Sequence, residues 1–475
     1  MIGALARNLE RALTASGSDL RDATGARWSA AELISHAHQV AALLRQAHIQ
    51  RQEPVHLQID NKPVDIGSML GIWLAEAVAV PVHAGTVQAT RQALATRTGA
   101  RFFINGGGLE KLGDRAPAPR PLLGGAALVI FTSGTTGSPK GVVIGHDALA
   151  GKIEVLKRLL AFRADDTVLV PLQLNFIFGL WICLLAIECR SEIILIPRFS
   201  ADAVGKCLGD GVTVFGAVPT MLRTLLSGVV PQAPRLRMIL SGGEVMTPAL
   251  NETISGIWPH SGIYDLYGST ETGSCDFCLP PAEHIAGRGS IGHPTHDVKF
   301  RIRNNDGLLA QMGEVGELEI DSPYRMLGYF DDPELTRASF NEGYFRSGDL
   351  ARIRADNRTE IVGRSKEIIS RGGNKISPLQ IDNLLSAHPD VAVALCTGVP
   401  DDRLGEKIQA MVVLKPGAIL TEPELLAWAS AKIERFKLPD AIYFCDAIPV
   451  GNTGKASRAA VQQFILAQTR NIAHP

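Results

Sequence analysis

The chain has 475 residues, about three times the length of a typical single domain, which indicates two or three domains. Hydrophobic residues make up 46% and charged residues 20%, values that exclude disordered, collagenous and coiled-coil proteins. The 47 basic and 48 acidic residues leave a net charge of −1, so no overall field favours nucleic acid or an anionic membrane. We therefore expect a packed, enzyme-sized protein that has no nucleic-acid partner.

The cysteines and the apolar segments indicate the compartment. The seven cysteines are odd in number and scattered, which does not resemble a disulfide framework and favours a reducing cytoplasm. The N-terminal residues lack the apolar stretch of an export signal. The longest apolar run, Phe176 to Ile187, is too short to cross about 30 Å of hydrocarbon. We expect a cytoplasmic protein without a membrane span.

The first long region, from about residue 54 to residue 270, alternates short β-branched runs with stretches of helical periodicity. This alternation predicts an α/β fold with mainly parallel strands that are buried on both faces. The predicted strands are Val55–Ile59, Ala77–Val82, Arg101–Ile104, Ala127–Phe131, Val168–Val170, Glu192–Ile196, Val212–Phe215 and Arg237–Leu240.

After Gly292 the pattern changes to period-two segments separated by Asn-Asp-Gly and Asp-Asn turns, which predicts an antiparallel β-rich subdomain over residues 292–363. Its predicted strands are Lys299–Arg303, Glu317–Asp321, Leu350–Arg354 and Thr359–Val362. From Gly363 onward helical and strand patterns resume, with predicted helices at Ser377–Ala387 and Glu422–Arg435 and strands at Val391–Thr397 and Ala410–Leu414. We predict two domains, residues 1–363 and residues 364–475.

The most informative segment is LVIFTSGTTGSPKG, from Leu128 to Gly141. A buried-strand pattern leads into a loop of glycines and hydroxyl residues that closes on Lys140. Glycines let backbone N–H groups turn toward an anion, while the hydroxyls add donors and the lysine adds a charge. It is not a Walker A loop, because Pro139 precedes the lysine and no Ser or Thr follows it. The candidate phosphate-binding residues are Thr132, Ser133, Gly134, Thr135, Thr136, Gly137 and Lys140.

This segment resembles the signature loop of the adenylate-forming superfamily, which includes acyl-CoA synthetases, firefly luciferase and the adenylation domains of peptide synthetases. Further segments resemble other motifs of that family and occur in its order: Asp265–Glu271 (DLYGSTE), Tyr344–Leu350 (YFRSGDL), Gly363–Lys366 (GRSK) and Gly454–Arg458 (GKASR). The resemblance covers nearly the whole chain. It implies an α/β protein whose large N-terminal domain has mainly parallel sheets flanked by helices plus the β-rich subdomain, followed by a small, mobile α+β domain.

The resemblance also implies the chemistry: a carboxylate attacks the α-phosphate of ATP in line and expels pyrophosphate. Lys455 would be the catalytic cation where the two anions meet. Glu271 would hold Mg²⁺, a hard cation that prefers carboxylate and phosphate oxygens, and Thr270 would donate to the α-phosphate. Lys366, in the segment that resembles the interdomain hinge, would let the C-terminal domain rotate between two half-reactions.

Other residues are assigned to the nucleoside by the same resemblance. Asp349 would accept hydrogen bonds from the ribose hydroxyls, with Arg364 beside it. Tyr267 would pack on adenine, and Asp265 would accept a hydrogen bond from its exocyclic amine. The remaining nucleotide contacts are assigned to Gly243, Gly268 and Ser269.

The acid pocket is expected to include Asn175, Phe176, Phe215, Gly242 and Gly243. Phe176 stands where many acyl-CoA synthetases carry a His, and no acid stands nearby to pair with the ammonium group of an amino acid. Apart from Glu271, which is assigned to the metal, the segments expected to line the pocket carry no charge. A second charge on the acid would be buried without a partner, so we expect an aryl or short-to-medium aliphatic monocarboxylate. Asn175 would hydrogen-bond to a substituent.

The sequence thus predicts an AMP-forming acid–thiol ligase that uses ATP and Mg²⁺, with coenzyme A as the expected acceptor. One alternative is the loading of a free-standing carrier protein in trans, because the two activities share the first half-reaction and differ only in the thiol. An alternative of another class is a catalytically silent nucleotide-binding relative. Retention of Lys455, Glu271, Thr270 and Asp349 argues against that alternative.

Overall fold

The computed structural model of the protein describes residues 3–15, 19–106, 108–132, 139–450 and 456–472. The α-helices of these ranges are α1 (Ala4–Thr14), α2 (Ala30–Gln46), α3 (Pro63–Leu74), α4 (Gln88–Thr98), α5 (His146–Leu160), α6 (Ile177–Cys189), α7 (Ala201–Gly209), α8 (Pro219–Leu226), α9 (Pro248–Ile257), α10 (Pro333–Ala338), α11 (Pro378–Ser386), α12 (Glu422–Ser430) and α13 (Arg458–Ile472).

The strands of the same ranges are β1 (Leu20–Asp22), β2 (Arg27–Trp28), β3 (Pro54–Ile59), β4 (Val78–His83), β5 (Phe102–Asn105), β6 (Gly108–Lys111), β7 (Ala126–Thr132), β8 (Lys140–Gly145), β9 (Thr167–Val170), β10 (Glu192–Leu195), β11 (Val214–Ala217), β12 (Met238–Gly242), β13 (Gly262–Tyr267), β14 (Phe277–Leu279), β15 (His293–Pro294), β16 (Lys299–Arg303), β17 (Gly316–Asp321), β18 (Gly328–Tyr329), β19 (Phe340–Asn341), β20 (Tyr344–Ile353), β21 (Thr359–Arg364), β22 (Ile369–Arg371), β23 (Asn374–Ile376), β24 (Val391–Asp401), β25 (Gly405–Leu414) and β26 (Ala441–Phe444).

Two large sheets form the N-terminal part of the molecule. One has nine strands in the order β15-β14-β13-β12-β11-β9-β10-β1-β2, and the other has seven in the order β18-β8-β7-β4-β3-β5-β6. The strands from β13 to β1 in the first sheet run parallel, as do β7, β4, β3 and β5 in the second. The predicted α/β fold with mainly parallel strands is therefore confirmed.

The main core lies between these two sheets. Helices α1, α2, α3, α5 and α6 contribute side chains to it, together with strands from both sheets. Helices α3 and α6 are buried along almost their entire length, which explains why their sequences are apolar on every side. Helix α2, which packs against α3, begins at Ala30 because Ser29 and Glu32 form a capping box. A second core lies on the opposite face of the nine-stranded sheet, against α7, α8 and α9.

Two smaller sheets follow. Strands β16, β17, β20, β19 and β21 form an antiparallel sheet, as predicted for the β-rich subdomain. Strands β22 to β26 form the last sheet, which packs with α11 and α12 around its own core. Helix α12 ends at Ser430, earlier than the predicted Arg435, and the chain beyond it packs Ile433 and Leu438 against that core.

Strands β1 and β2 were not predicted from the sequence, because they are only three and two residues long and show no pattern. They extend the nine-stranded sheet next to β10. Within the described ranges, no helix combines the length and the apolar character needed to cross a lipid bilayer.

Candidate active site

The carboxyl ends of three parallel strands bring together residues that are distant in the chain. Ala217 of β11, Ser241 of β12 and Asp265 of β13 are neighbours in register. The hydroxyl of Ser241 is buried and has no hydrogen-bond partner among the described residues. Burial raises the pKa of Asp265 to about 8, so this carboxyl group is mostly protonated at neutral pH. A protonated carboxyl still accepts at one oxygen and donates at the other, which suits the edge of a purine.

Asp349 lies at the centre of a three-residue cluster. The Tyr267 hydroxyl donates to Oδ2 of Asp349 at 2.5 Å, and Nε of Arg364 donates to Oδ1 at 2.7 Å. Asp349 and Arg364 are register partners in β20 and β21, whereas Tyr267 ends β13. The Asp349 residue is only 6% exposed. Each of its oxygens keeps one free lone pair, so a vicinal diol could still donate to both oxygens.

The contact of Tyr267 with Asp349 adds to the role expected from the sequence. Its ring meets the Phe277 ring edge-on, with the centroids 5.9 Å apart. Burial and the nearby Asp349 carboxylate raise the pKa of Tyr267 well above its usual value. The phenol therefore remains a hydrogen-bond donor at neutral pH. Packing on adenine remains a prediction.

A second cluster joins Lys140, which follows the predicted phosphate loop, to Glu271. The Tyr329 hydroxyl donates to Oε1 of Glu271 at 3.0 Å, and Nζ of Lys140 lies over the Tyr329 ring, 5.3 Å from its centroid. The position of Tyr329 follows from the pairing of β18 with β8, in which Tyr329 is opposite Val142, two residues after Lys140. The backbone N–H of Met326 also donates to the carbonyl oxygen of Glu271, at 2.7 Å. Sequence reasoning missed Tyr329, because only the pairing of β18 with β8 brings it here.

The turn that carries Thr270 and Glu271 folds back on itself. The N–H of Ser274 donates to the carbonyl of Ser269 at 2.7 Å, and the N–H of Asp276 donates to the carbonyl of Tyr267 at 2.7 Å. A Cβ on Gly268 would lie 2.5 Å from the backbone nitrogen of Cys275, so only glycine fits at that position. This close packing explains why the motif has a glycine at position 268.

Several predicted residues lie outside the described part of the chain, and their roles stay predictions. These residues are Ser133, Gly134, Thr135, Thr136, Gly137 and Lys455. The residues that flank them are ordered by pairing: Thr132 is opposite Lys140 in the β7–β8 hairpin, and Val450 forms an antiparallel bridge with Ala456. The predicted hinge residue Lys366 lies in a 3₁₀ turn, Ser365–Glu367, directly after β21.

The structure corrects one residue of the predicted acid pocket. Phe215 is fully buried in the core that faces α7, α8 and α9. Its register partner is Ile239, three residues before Gly242, so Phe215 and Gly242 face opposite sides of the sheet. Phe178 is close to Gly242 instead: a Cβ on that glycine would lie 3.5 Å from the Phe178 ring.

The other predicted pocket residues lie around the start of α6. Phe176 is the half-buried N-cap residue of this helix, and Oδ1 of Asn175 is buried with no partner among the described residues. Gly243 follows Gly242 with a φ of 81°, a left-handed conformation that favours glycine. The Phe178 ring contacts the Trp181 ring, with the centroids 5.5 Å apart. This region therefore combines aromatic surface with an unsatisfied amide oxygen.

Comparison with known proteins identifies the family. The family described as AMP-binding enzyme matches residues 9–122 and 108–330, and the AMP-binding enzyme C-terminal domain matches residues 380–455. A sulfoacetate–CoA ligase of Cupriavidus necator is 34% identical over 72% of this chain and 68% of its own length. A probable CoA ligase of Humulus lupulus is 32% identical over 72% of this chain, which spans just under two thirds, 66%, of that relative.

Solved structures agree on the fold. A benzoate CoA ligase from Burkholderia xenovorans superposes with a TM-score of 0.86 at 24% identity, over 97% of this chain and all of that one. An anthranilate CoA ligase in complex with anthranoyl-AMP superposes with a TM-score of 0.87 at 22% identity, over 99% of this chain and 98% of that one. The chain therefore belongs to the AMP-binding enzyme family, and it is an adenylate-forming protein of the acyl- and aryl-CoA synthetase type.

Proposed function

We propose that the protein activates a carboxylic acid with ATP to an acyl-adenylate, with release of pyrophosphate, and then transfers the acyl group to the thiol of coenzyme A, with release of AMP. The observation that carries this proposal is the pair of clusters around Asp349 and Glu271. One offers a buried carboxylate to a ribose diol, and the other holds an acidic side chain beside the lysine of the phosphate loop. The two clusters are joined by the short segment from Tyr267 to Glu271.

The residues near Glu271 fit a magnesium ion that arrives with ATP. No group of three or more His, Cys, Asp or Glu side chains in the described part of the chain could hold a metal by itself. Mg²⁺ commonly binds through one or two carboxylates together with phosphate oxygens, which matches a single Glu271 near the phosphate loop. Because Tyr329 occupies only Oε1 of Glu271, Oε2 is left to contact the ion. When bound, Mg²⁺ would neutralise charge on the phosphates.

The chain's own residues would orient the ribose, attract the phosphates and stabilise the charge that develops during the reaction. Asp349 and Arg364 would orient the ribose, and Lys140 would attract the phosphates. Lys455, assigned by family resemblance, would stabilise the charge that develops where the carboxylate meets the α-phosphate. No residue is required as a general base, since a carboxylic acid is already ionised at neutral pH.

We also propose the division into an ATP- and acid-binding domain, residues 1–363, and a C-terminal domain, residues 364–475. Arg364 remains in the ladder of β21, and the next sheet begins at Ile369, so the proposed hinge at Lys366 falls between the two sheets. Arg458, three residues after Lys455, pairs with Glu367 at 2.7 Å. The start of α13 is thus attached to the hinge turn, which supports movement of α13 and this turn as one body.

For the acid we propose an aryl or short-to-medium aliphatic monocarboxylate. Phe176 and Phe178 provide apolar surface, and the unpartnered oxygen of Asn175 would accept a hydrogen bond from a substituent. Arg223 is a nearby cation on α8, but it lies 3.7 Å from Glu244, which follows Gly243. Glu244 therefore compensates the charge of Arg223, and a second carboxylate on the substrate is not needed to pair with it.

The thiol acceptor and the compartment belong to the same proposal. Coenzyme A is the proposed acceptor, and a carrier protein acting in trans is the alternative. A fatty acid–[acyl-carrier-protein] ligase of Streptomyces coeruleorubidus is 33% identical over 69% of this chain and 65% of its own length, which keeps that alternative open. All seven cysteines are free thiols, which supports a cytoplasmic location.

The decisive experiment measures ATP–pyrophosphate exchange with benzoate-type acids, fatty acids, malonate-type acids and amino acids. We expect the strongest exchange with an aryl or aliphatic monocarboxylate. Strongest exchange with a dicarboxylate or an amino acid would overturn the pocket assignment, and no exchange with any acid would favour the catalytically silent alternative. AMP release with coenzyme A, compared with a phosphopantetheinylated carrier protein, then identifies the acceptor.

A further inference from the structure

We propose that Lys152 is a positioning residue for the adenylation site, because its buried ion pair with Asp276 fixes the turn that carries Thr270 and Glu271. This inference rests on the proposed function. Lys152 is on α5 and Asp276 follows the Thr270–Glu271 turn, and the side chains of both are 0% exposed. Neither was a candidate site residue in the sequence, and neither is expected to contact ATP or the acid.

The Asp276 carboxylate lies inside the turn. Its Oδ2 accepts a hydrogen bond from the Thr272 hydroxyl. The same hydroxyl lies 2.9 Å from the Ser269 hydroxyl, so the two ends of the Thr270–Glu271 dipeptide are linked. A Cβ on Gly268 would lie 2.9 Å from Oδ2 of Asp276, which shows how closely the carboxylate packs against the motif. The conformation of Glu271 therefore depends on where Asp276 is held.

Lys152 holds Asp276 and the backbone next to it. Its Nζ lies 3.7 Å from Oδ1 of Asp276 and donates to the carbonyl oxygen of Cys275 at 3.1 Å. The ammonium also lies 4.9 Å from the centroid of the Tyr324 ring. These contacts come from two segments, Cys275–Asp276 and the one that carries Tyr324, and together they fix the position of the ammonium group.

The backbone at this contact is strained, which explains why a charge is needed there. Gly273, Ser274 and Cys275 have φ values of 90°, 65° and 50°, so three successive residues are left-handed. Non-glycine residues adopt this region at a cost and keep it only when their surroundings enforce it. The hydrogen bonds from Lys152 and from the Thr295 hydroxyl to the Cys275 carbonyl hold the backbone in this conformation.

The location of Lys152 connects this turn to the phosphate loop. Helix α5 follows β8, the strand that begins with Lys140. The ion pair thus connects the helix that follows β8 to the turn that carries Glu271. A buried ion pair contributes little net stability compared with an apolar pair, but removal of one partner leaves an uncompensated charge. We therefore infer that the pair serves the geometry of the site rather than the stability of the fold.

The test compares Lys152→Met, Asp276→Asn and the double variant. Isothermal titration calorimetry of ATP at stepped Mg²⁺ concentrations gives the half-saturating Mg²⁺ concentration, and thermal melting gives the stability. We expect each single variant to raise that concentration about tenfold or more at a temperature where all proteins are folded. The double variant should lie closer to wild type than either single variant, because no charge is left unpaired.

The matched control is Glu53→Gln, which breaks another buried ion pair, with Arg101 at 2.7 Å, away from the site. It should lower the melting temperature without changing the Mg²⁺ dependence. Single variants that are less stable but retain the wild-type Mg²⁺ dependence would overturn the inference, as would single and double variants whose effects simply add. If Lys152→Met does not fold, the Mg²⁺ dependence of Asp276→Asn is compared with that of the double variant and of wild type.

This readout is independent of the proposed function. If wild-type protein binds ATP with Mg²⁺ yet activates no acid, the proposed function fails while the Mg²⁺ comparison still applies. If the acid is activated but the variants bind Mg²⁺ and ATP as wild type does, only the positioning role fails.

Discussion

The Tyr267 hydroxyl donates a hydrogen bond of 2.5 Å to Oδ2 of Asp349, and this contact joins the nine-stranded sheet to the β-rich sheet. Tyr267 ends a strand of the first sheet, and Asp349 lies within a strand of the second. The carboxylate that we propose to bind the ribose is thus oriented by a residue from another sheet, so the proposed ribose contact depends on the relative position of the two sheets.

We expect Tyr267→Phe to weaken ATP binding about tenfold, or ~1.4 kcal/mol, because the Asp349 carboxylate loses a donor that holds it in place. Calorimetric titration with ATP measures the effect. Tyr264→Phe, on the same strand but facing the other side of the sheet, is the control and should bind ATP as wild type does. Equal effects of the two substitutions would show that Asp349 does not depend on Tyr267.

Tyr329→Phe should impair adenylation, because Glu271 loses the hydroxyl that orients its carboxylate. We expect a rise of about tenfold or more in the Mg²⁺ concentration that half-saturates pyrophosphate exchange, since a hydrogen bond to a charged group is worth about 1.5–3 kcal/mol. The cation–π contact of Lys140 with the ring should persist, since phenylalanine keeps the ring. An unchanged Mg²⁺ dependence would contradict the role assigned to Tyr329.

Lys455→Ala should reduce pyrophosphate exchange by roughly a hundredfold or more, since one lost contact to a developing charge is worth about 3 kcal/mol. ATP binding and melting temperature should remain close to wild type, because the charge is needed where the two anions meet. The control is Lys415→Ala, at an exposed position beyond β25. Exchange at the wild-type rate in Lys455→Ala would refute the assignment.

Lys366→Pro should spare acyl-adenylate formation and impair thioester formation. Proline fixes φ near −65°, so the residue can no longer absorb the rotation expected at a hinge. Pyrophosphate exchange measures the first half-reaction, and acyl transfer from preformed acyl-adenylate to coenzyme A measures the second. Equal loss in both assays would argue against alternation of the domains.

Asp265 should make the fold less stable as the pH rises. Burial raises its pKa from 3.8 to about 8, so between these values the folded protein binds a proton that the unfolded chain releases. The stability contributed by this group is therefore lost as the pH rises through that window. We expect Asp265→Asn to melt progressively higher than wild type between pH 5 and pH 8, and a constant difference in melting temperature would contradict the raised pKa.

The β-rich subdomain and the parallel strands could be predicted because their signals are local. Alternation of apolar and polar residues marks β16 and β17 directly, and buried runs between helices mark β3 and β4. The short strands β1 and β2 carry too few residues for a pattern and form only because β10 offers an edge.

The sequence by itself determined the superfamily and predicted the residues of the site, because the predicted phosphate loop, the Thr270–Glu271 segment and Asp349 each lie in a contiguous motif. Tertiary structure alone decided which residues meet these motifs. The pairing of β18 with β8 places Tyr329 next to Glu271. Phe215 points to the opposite face of its sheet from Gly242, because successive residues of a strand alternate between the two faces. Lys152 and Asp276 are separated by more than a hundred residues, and their pairing depends on how a helix packs against a turn, which no local pattern encodes.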